Sequence, residues 1–206
     1  MLILSGGGDP DKVTPIDSYF ISIIDKNKPV IYIPVAMEES CFTYEECLNW
    51  FTDTYERYGI TKIEMWTDLS GKNISDNIAA IYIGGGNTYK LLKKIKDSSF
   101  DKKCITYLKN NGIIYGGSAG AIIFGKTIDS AKHADKNIVD LADTHGLNLL
   151  NDRDVWCHYT EADNELINNY DNNLYILYEE SGIVFDGESI ISLGKKYKTN
   201  DIIKAR

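Results

Sequence analysis

The chain has 206 residues, 43% hydrophobic and 25% charged, which is enough for one globular domain with a substantial core. The net charge of −8, with no basic stripe, argues against nucleic acid or an anionic membrane as a partner. Four prolines, no low-complexity run and no fixed-period repeat leave residues 1–206 as a single expected domain.

The chain opens on Leu2-Ile3-Leu4, an apolar run too short for a signal peptide or membrane span and without a basic leader. Together with four cysteines (Cys41, Cys47, Cys104, Cys157) that have no C-x-x-C spacing, it leads us to expect a cytoplasmic protein with free thiols. The first run ends in Ser5-Gly6-Gly7-Gly8, and Val30–Val35 reads as the next strand. Tyr44, Cys47, Leu48, Phe51, Tyr55 and Tyr58 follow at the 3.6 period of one buried helical face, with Gly59 as a stop. Ile63–Trp66 and Ile78–Ile83 read as strands, and Tyr89–Ile95 and Phe100–Lys109 as helices. Ile113-Ile114-Tyr115 is a buried strand that runs directly into Gly116-Gly117-Ser118-Ala119-Gly120.

Strands that alternate with helices require crossover connections and a mostly parallel sheet. Val155–Tyr159, Leu174–Tyr178, Ile183–Phe185 and Ser189–Leu193 are spaced more closely, with Asp186-Gly187 as a hairpin signal. The expected fold is therefore α/β: three layers, a mostly parallel sheet with helices on both faces, and an antiparallel edge formed by these late strands. Gly6–Gly8, Gly84–Gly86 and Gly116–Gly120 all fall at strand carboxyl ends, where open α/β sheets bind ligands.

The segment Gly116–Gly120 fits G-x-S-x-G. A nucleophile on a tight strand-to-helix turn is held with its hydroxyl above the sheet, and small neighbours let the two backbones close up. Ser118 is thus the candidate nucleophile; a phosphate-binding turn is the plainer alternative. Gly84-Gly85-Gly86-Asn87-Thr88 suits the second half of an oxyanion hole, because glycine lets N–H groups approach a carbonyl oxygen closely. It equally suits a helix start capped by Asn87 or Thr88. Asn87 is also a candidate substrate contact.

A serine nucleophile needs a base, and the chain has three histidines. His133 and His145 lie in polar stretches, whereas His158 ends a strand-like run and is the leading candidate. Spacing leaves four acids open for orienting it: Asp135, Glu161, Glu179 and Glu180. Neither the histidines nor the cysteines form a metal-ligand set, the glycine turns lack a Walker lysine, and no cofactor is expected.

Leu4-Ser5-Gly6-Gly7-Gly8, Ile83-Gly84-Gly85-Gly86-Asn87-Thr88, Gly117-Ser118-Ala119-Gly120-Ala121 and His158-Tyr159-Thr160, in this order, resemble the S51 peptidases, the family of peptidase E and cyanophycinase. The resemblance implies a flavodoxin-like, class I glutamine amidotransferase-like fold. It implies a serine-type peptidase acting through an acyl-enzyme, with Ser118 as nucleophile, His158 as base, and the Gly85 and Ala119 N–H groups as oxyanion donors. Leu177-Tyr178-Glu179 resembles the family's late glutamate segment and makes Glu179 the preferred acid; Asp135 stands for the family's older alternative. The expected partner is a small peptide or amide, and the expected state a monomer or homodimer. A non-peptidase amide or ester hydrolase, or a silent binding protein, are the competing readings. One departure is plain. Peptidase E has an arginine-bearing segment after its histidine, but residues 161–173 here contain no Arg or Lys. The aspartyl preference is therefore not carried across.

Overall fold

A computed structural model describes residues 1–200. The main sheet begins with β1 (Leu2–Ser5), after which α1 (Pro10–Ile23) crosses to β2 (Val30–Ile33). Next come α2 (Tyr44–Glu56), β3 (Ile63–Met65), β4 (Ala80–Ile83), α3 (Thr88–Asp97), α4 (Phe100–Lys109), β5 (Ile114–Gly117) and the short α5 (Ala119–Ile122). A 3₁₀ turn at Asp129–His133 precedes β6 (Asp154–Trp156). Another at Glu161–Asp163 leads into α6 (Asn164–Asn168), then β7 (Leu174–Ile176), β8 (Ser181–Phe185), β9 (Ile190–Gly194) and β10 (Lys198–Thr199).

Seven strands form the main sheet in the order β3-β2-β4-β5-β1-β8-β9. The first five are mutually parallel, and β8 and β9 add an antiparallel edge. Alternation along the strands divides the core. Leu2, Leu4, Ile31, Ile33, Ile81 and Ile83 pack with α3, α4 and α5 on one face. Ile3, Val30, Tyr32, Ala80, Tyr82 and Tyr115 pack with α1 and α2 on the other. A period of two on strands covered on both sides gives the three-layer α/β arrangement expected from the sequence.

Two elements depart from the sequence reading. Residues 10–23 show no element in the sequence pattern, yet they form α1. Pro10 occupies its first turn, where a missing N–H costs nothing, and Val13, Ile16 and Phe20 supply the buried face despite Pro15. The late strands also do not all extend the edge. β6, β7 and β10 form a second sheet in the order β10-β7-β6, with Trp156, Tyr159, Ile167, Leu174 and Ile176 as its own small core. β6 and β7 are parallel, joined through α6, a crossover that close spacing in the sequence concealed. Buried Asp154 anchors this sheet: its Oδ2 accepts hydrogen bonds from the Thr127 hydroxyl at 2.8 Å, the Tyr170 hydroxyl at 2.7 Å and Asn172 Nδ2 at 2.9 Å. No helix among the described residues is long and apolar enough to cross a membrane.

Candidate active site

The strands that carry the three glycine segments, β4, β5 and β1, are immediate neighbours in the sheet. Ser118 sits where β5 turns into α5, with φ 51° and ψ −114°, a strained conformation for a residue with a side chain. Its N–H is tied to the Ser5 carbonyl at 3.1 Å, and its own carbonyl accepts from Ala121 N–H at 2.8 Å. Two glycines make the turn possible. A Cβ on Gly116 would strike the Gly120 carbonyl, and a Cβ on Gly120 would strike the Ile83 carbonyl. The small residues of the motif are there for backbone-to-backbone contact.

The partners of Ser118 come from the second sheet. Because β6 and β7 are parallel and Trp156 is in register with Ile176, their carboxyl ends emerge side by side. His158 follows one end and Glu179 the other. Ser118 Oγ lies 2.7 Å from His158 Nε2, and His158 Nδ1 lies 3.1 Å from Glu179 Oε1. His158 has φ 54°, which turns its ring back toward the main sheet, and its N–H donates to the Gly6 carbonyl at 3.1 Å. The loop after β1 leaves room for this approach. A Cβ on Gly7 would lie 2.7 Å from His158 Nε2 and 3.1 Å from Ser118 Cβ.

Glu179 has a second partner. Lys12, at the start of α1, forms an ion pair with its Oε2. The Lys12 hydrogen bond, reinforced by that from His158, holds the Glu179 carboxyl below the usual glutamate range against the opposing effect of burial. Glu179 therefore stays ionised while it accepts from the imidazole. Nothing in the sequence pattern points to Lys12, since the helix carrying it is itself not apparent there.

Of the other candidate acids, two are engaged elsewhere and the third is exposed. Asp135 Oδ2 accepts the Thr88 N–H at 2.8 Å at the start of α3. Glu161 accepts from Asn164 Nδ2 at 3.0 Å and Lys198 Nζ at 3.1 Å. Glu180 is exposed, and its backbone carbonyl accepts Lys195 N–H at 2.8 Å. The other histidines are likewise occupied. His133 stacks on Trp156 at 4.2 Å between ring centroids, and exposed His145 pairs with Asp143 at 2.6 Å. Asn87 is buried and caps α3, with Oδ1 accepting Lys90 N–H at 3.0 Å and Nδ2 donating to the Lys136 carbonyl at 2.8 Å.

Gly85 and Ala119 flank Ser118. A Cβ on Gly85 would lie 3.3 Å from Ser118 Cβ, and Ala119 is the first residue of α5. Among the described residues neither N–H has an acceptor. The cavity over Ser118 and His158 measures about 330 Å³, with Glu38, Asp135 and His133 also on its wall. Cys157, adjacent to His158, is buried behind the turn, and burial pushes its thiol pKa far up, so it stays protonated. Of the two residues, Ser118 is the more exposed.

An open α/β sheet with a hydroxyl, an imidazole and a carboxylate in sequence above its strand ends is an arrangement of hydrolytic enzymes. The model of peptidase family S51 matches residues 1–193, and the chain belongs to that family; it is an enzyme of the peptidase class. It is 30% identical over 161 residues to the uncharacterized peptidase PM1590 of Pasteurella multocida (strain Pm70), covering 72% of this chain and 76% of that one. It is 30% identical over 153 residues to the uncharacterized peptidase Lin0382 of Listeria innocua, covering 67% and 68%. Among solved structures, a protein of Listeria monocytogenes EGD-e provisionally named peptidase E superposes with a TM-score of 0.77 at 24% identity, covering 95% of this chain and 98% of that one. That structural likeness shows the fold.

Proposed function

We propose that the protein is a serine peptidase in which Ser118 is the nucleophile, His158 the general base and Glu179 the group that orients the imidazole. The observation that carries this reading is the unbroken line Ser118 Oγ–His158 Nε2–Glu179 Oε1, with separations of 2.7 Å and 3.1 Å around the ring. With the ring proton on Nδ1, shared with Glu179, Nε2 is free to accept the Ser118 proton.

The reaction then runs in two halves. Ser118 Oγ bonds to the amide carbonyl carbon as its proton passes to His158, and the carbonyl oxygen takes the negative charge opposite the Gly85 and Ala119 N–H groups. His158 returns the proton to the amide nitrogen, the C–N bond breaks, and the amine leaves. Water adds to the acyl-serine ester by the same steps, its proton passing through His158 back to Ser118, which releases the carboxylic acid. Peptide hydrolysis on Ser118→Ala should fall by about 10⁴–10⁶ in kcat, and a fluorophosphonate should label the wild type at Ser118 alone. Wild-type-like turnover by that variant would remove Ser118 from the mechanism.

A further inference from the structure

A second cavity, of about 430 Å³, has Gly85 but not His158 on its wall and shares Met37 with the first. Tyr32, Tyr82, Met37, Phe42 and Trp50 line it. Its inner wall is a rigid aromatic block. Tyr32 stacks on Phe51 at 4.2 Å, Tyr82 stacks on Tyr115 at 4.4 Å, and the Tyr32 and Tyr82 rings meet edge-on at 5.9 Å. Its outer wall is apolar and open, with Phe42 56% and Trp50 42% exposed. Two large side chains left in water at the mouth of an apolar cavity mark a surface that gains by being covered.

Position says which part of a substrate would cover it. Gly85 belongs to the cavity wall, and its Cα faces Ser118, where a Cβ would lie 3.8 Å from Oγ. His158 lines only the neighbouring cavity, and Met37 is shared by the two. The departing amine has to stay within reach of His158 to receive its proton. What enters the aromatic cavity therefore belongs to the acyl side of the scissile bond. Charge says what kind of side chain fits. The wall has no Lys, Arg or His. Its one carboxylate, Glu46, is held by the Thr43 N–H at 2.7 Å and the Thr43 hydroxyl at 2.9 Å in the capping box of α2. An acidic side chain would find no cation there and would lose its hydration.

We propose that this cavity seats an aromatic side chain of the residue whose carbonyl Ser118 attacks, making the enzyme selective for cleavage after Phe, Tyr or Trp. The proposal rests on the serine-peptidase reading above and specifies its substrate. Offset and edge-on ring packing against Tyr32, Tyr82 and Trp50 would supply the selectivity, and the stacked wall loses little freedom on binding.

Two measurements test the proposal separately from the chemistry. The first is calorimetric binding of Phe-Ala, Ala-Ala, Asp-Ala, Lys-Ala and Ala-Phe to Ser118→Ala, which reports on the cavity without turnover. Phe-Ala should bind about tenfold or more tighter than Ala-Ala, and tighter than the other three. The second is kcat/KM for Phe-Ala relative to Ala-Ala in wild type, Trp50→Ala and Phe42→Ala, where both substitutions should shrink the ratio. Phe42 lies in an exposed loop, so its truncation leaves a folded protein to assay even if Trp50→Ala does not. Equal binding of Phe-Ala and Ala-Ala, preference for Asp-Ala, Lys-Ala or Ala-Phe, or a ratio unmoved in both variants would overturn the aromatic cavity. Failure of the fluorophosphonate to label Ser118, with Phe-Ala still preferred in binding, would overturn the nucleophile and leave the cavity standing.

Discussion

The two halves of the site are built on different principles. The half around Ser118 is local: β5, the turn and α5 are contiguous, and Gly116 and Gly120 allow the strained turn by removing side chains where backbones touch. The half around His158 and Glu179 is assembled over distance. Its two residues are 21 positions apart, come from a separate sheet, and meet Ser118 only because the Gly6–Gly8 loop of the main sheet accepts them. Ser118 is held by backbone geometry, whereas His158 and Glu179 are held by tertiary contact and charge. Disturbing the first half should damage the fold with the chemistry; disturbing the second should damage the chemistry alone.

The sharpest way to break that contrast is Glu179→Gln. The amide keeps the size of the side chain but cannot hold the imidazole in the Nδ1–H form as an ionised acceptor does, so kcat should fall by about 10³–10⁴ while thermal stability changes little. Peptide kinetics beside a melting curve check both parts.

Beneath the sheet, outside both halves of the site, Asp17→Asn should alter stability without touching the chemistry. Asp17 is 5% exposed in the layer beneath β5, and the Tyr115 hydroxyl donates to it at 2.9 Å. Burial pushes its carboxyl up to about 6, outweighing the hydrogen bond from Tyr115 and the charge of Arg57. The folded state thus holds this proton more tightly than the unfolded chain, and stability falls as pH rises from about 4 to about 6. Above that window the ionised form costs up to about 3 kcal/mol. Asp17→Asn should recover part of this at pH 7 and nothing at pH 4, as read from urea midpoints at the two pH values.

Gly7→Ala probes the contact between the halves. The residue has φ 88°, and the added Cβ would meet the His158 ring, so the imidazole must move away from Ser118. A displacement near 1 Å should lower kcat/KM by about 10–100-fold, with Ser118 still on its turn and far-UV circular dichroism unchanged. The smallest effect is expected from Lys12→Met. Loss of the cation that depresses the Glu179 pKa should move the acid limb of the kcat/KM profile to higher pH, leaving the plateau near the wild-type value. An acid limb that stays in place would detach Lys12 from the site.

Contiguous residues encode the local features of this protein. The period-two strands, the helical face from Tyr44 to Tyr58 and the small-residue turn around Ser118 are all set within a few positions of each other, where sterics and local hydrogen bonding act. His158 is singled out as the histidine ending a strand-like run. The sequence could not rank four acids by spacing, and only a family resemblance favoured Glu179. Everything that depends on pairing between distant segments is set by the folded chain. The parallel register of β6 and β7 sets His158 beside Glu179, and the separate small sheet turns both toward β5. Helix α1, hidden by Pro15, brings Lys12 to an acid 167 residues away. The aromatic cavity draws on β2, the loop after it, α2 and β4, so no window of sequence contains it. Long-range electrostatics and packing have no local period, and for that reason they became legible only in the folded chain.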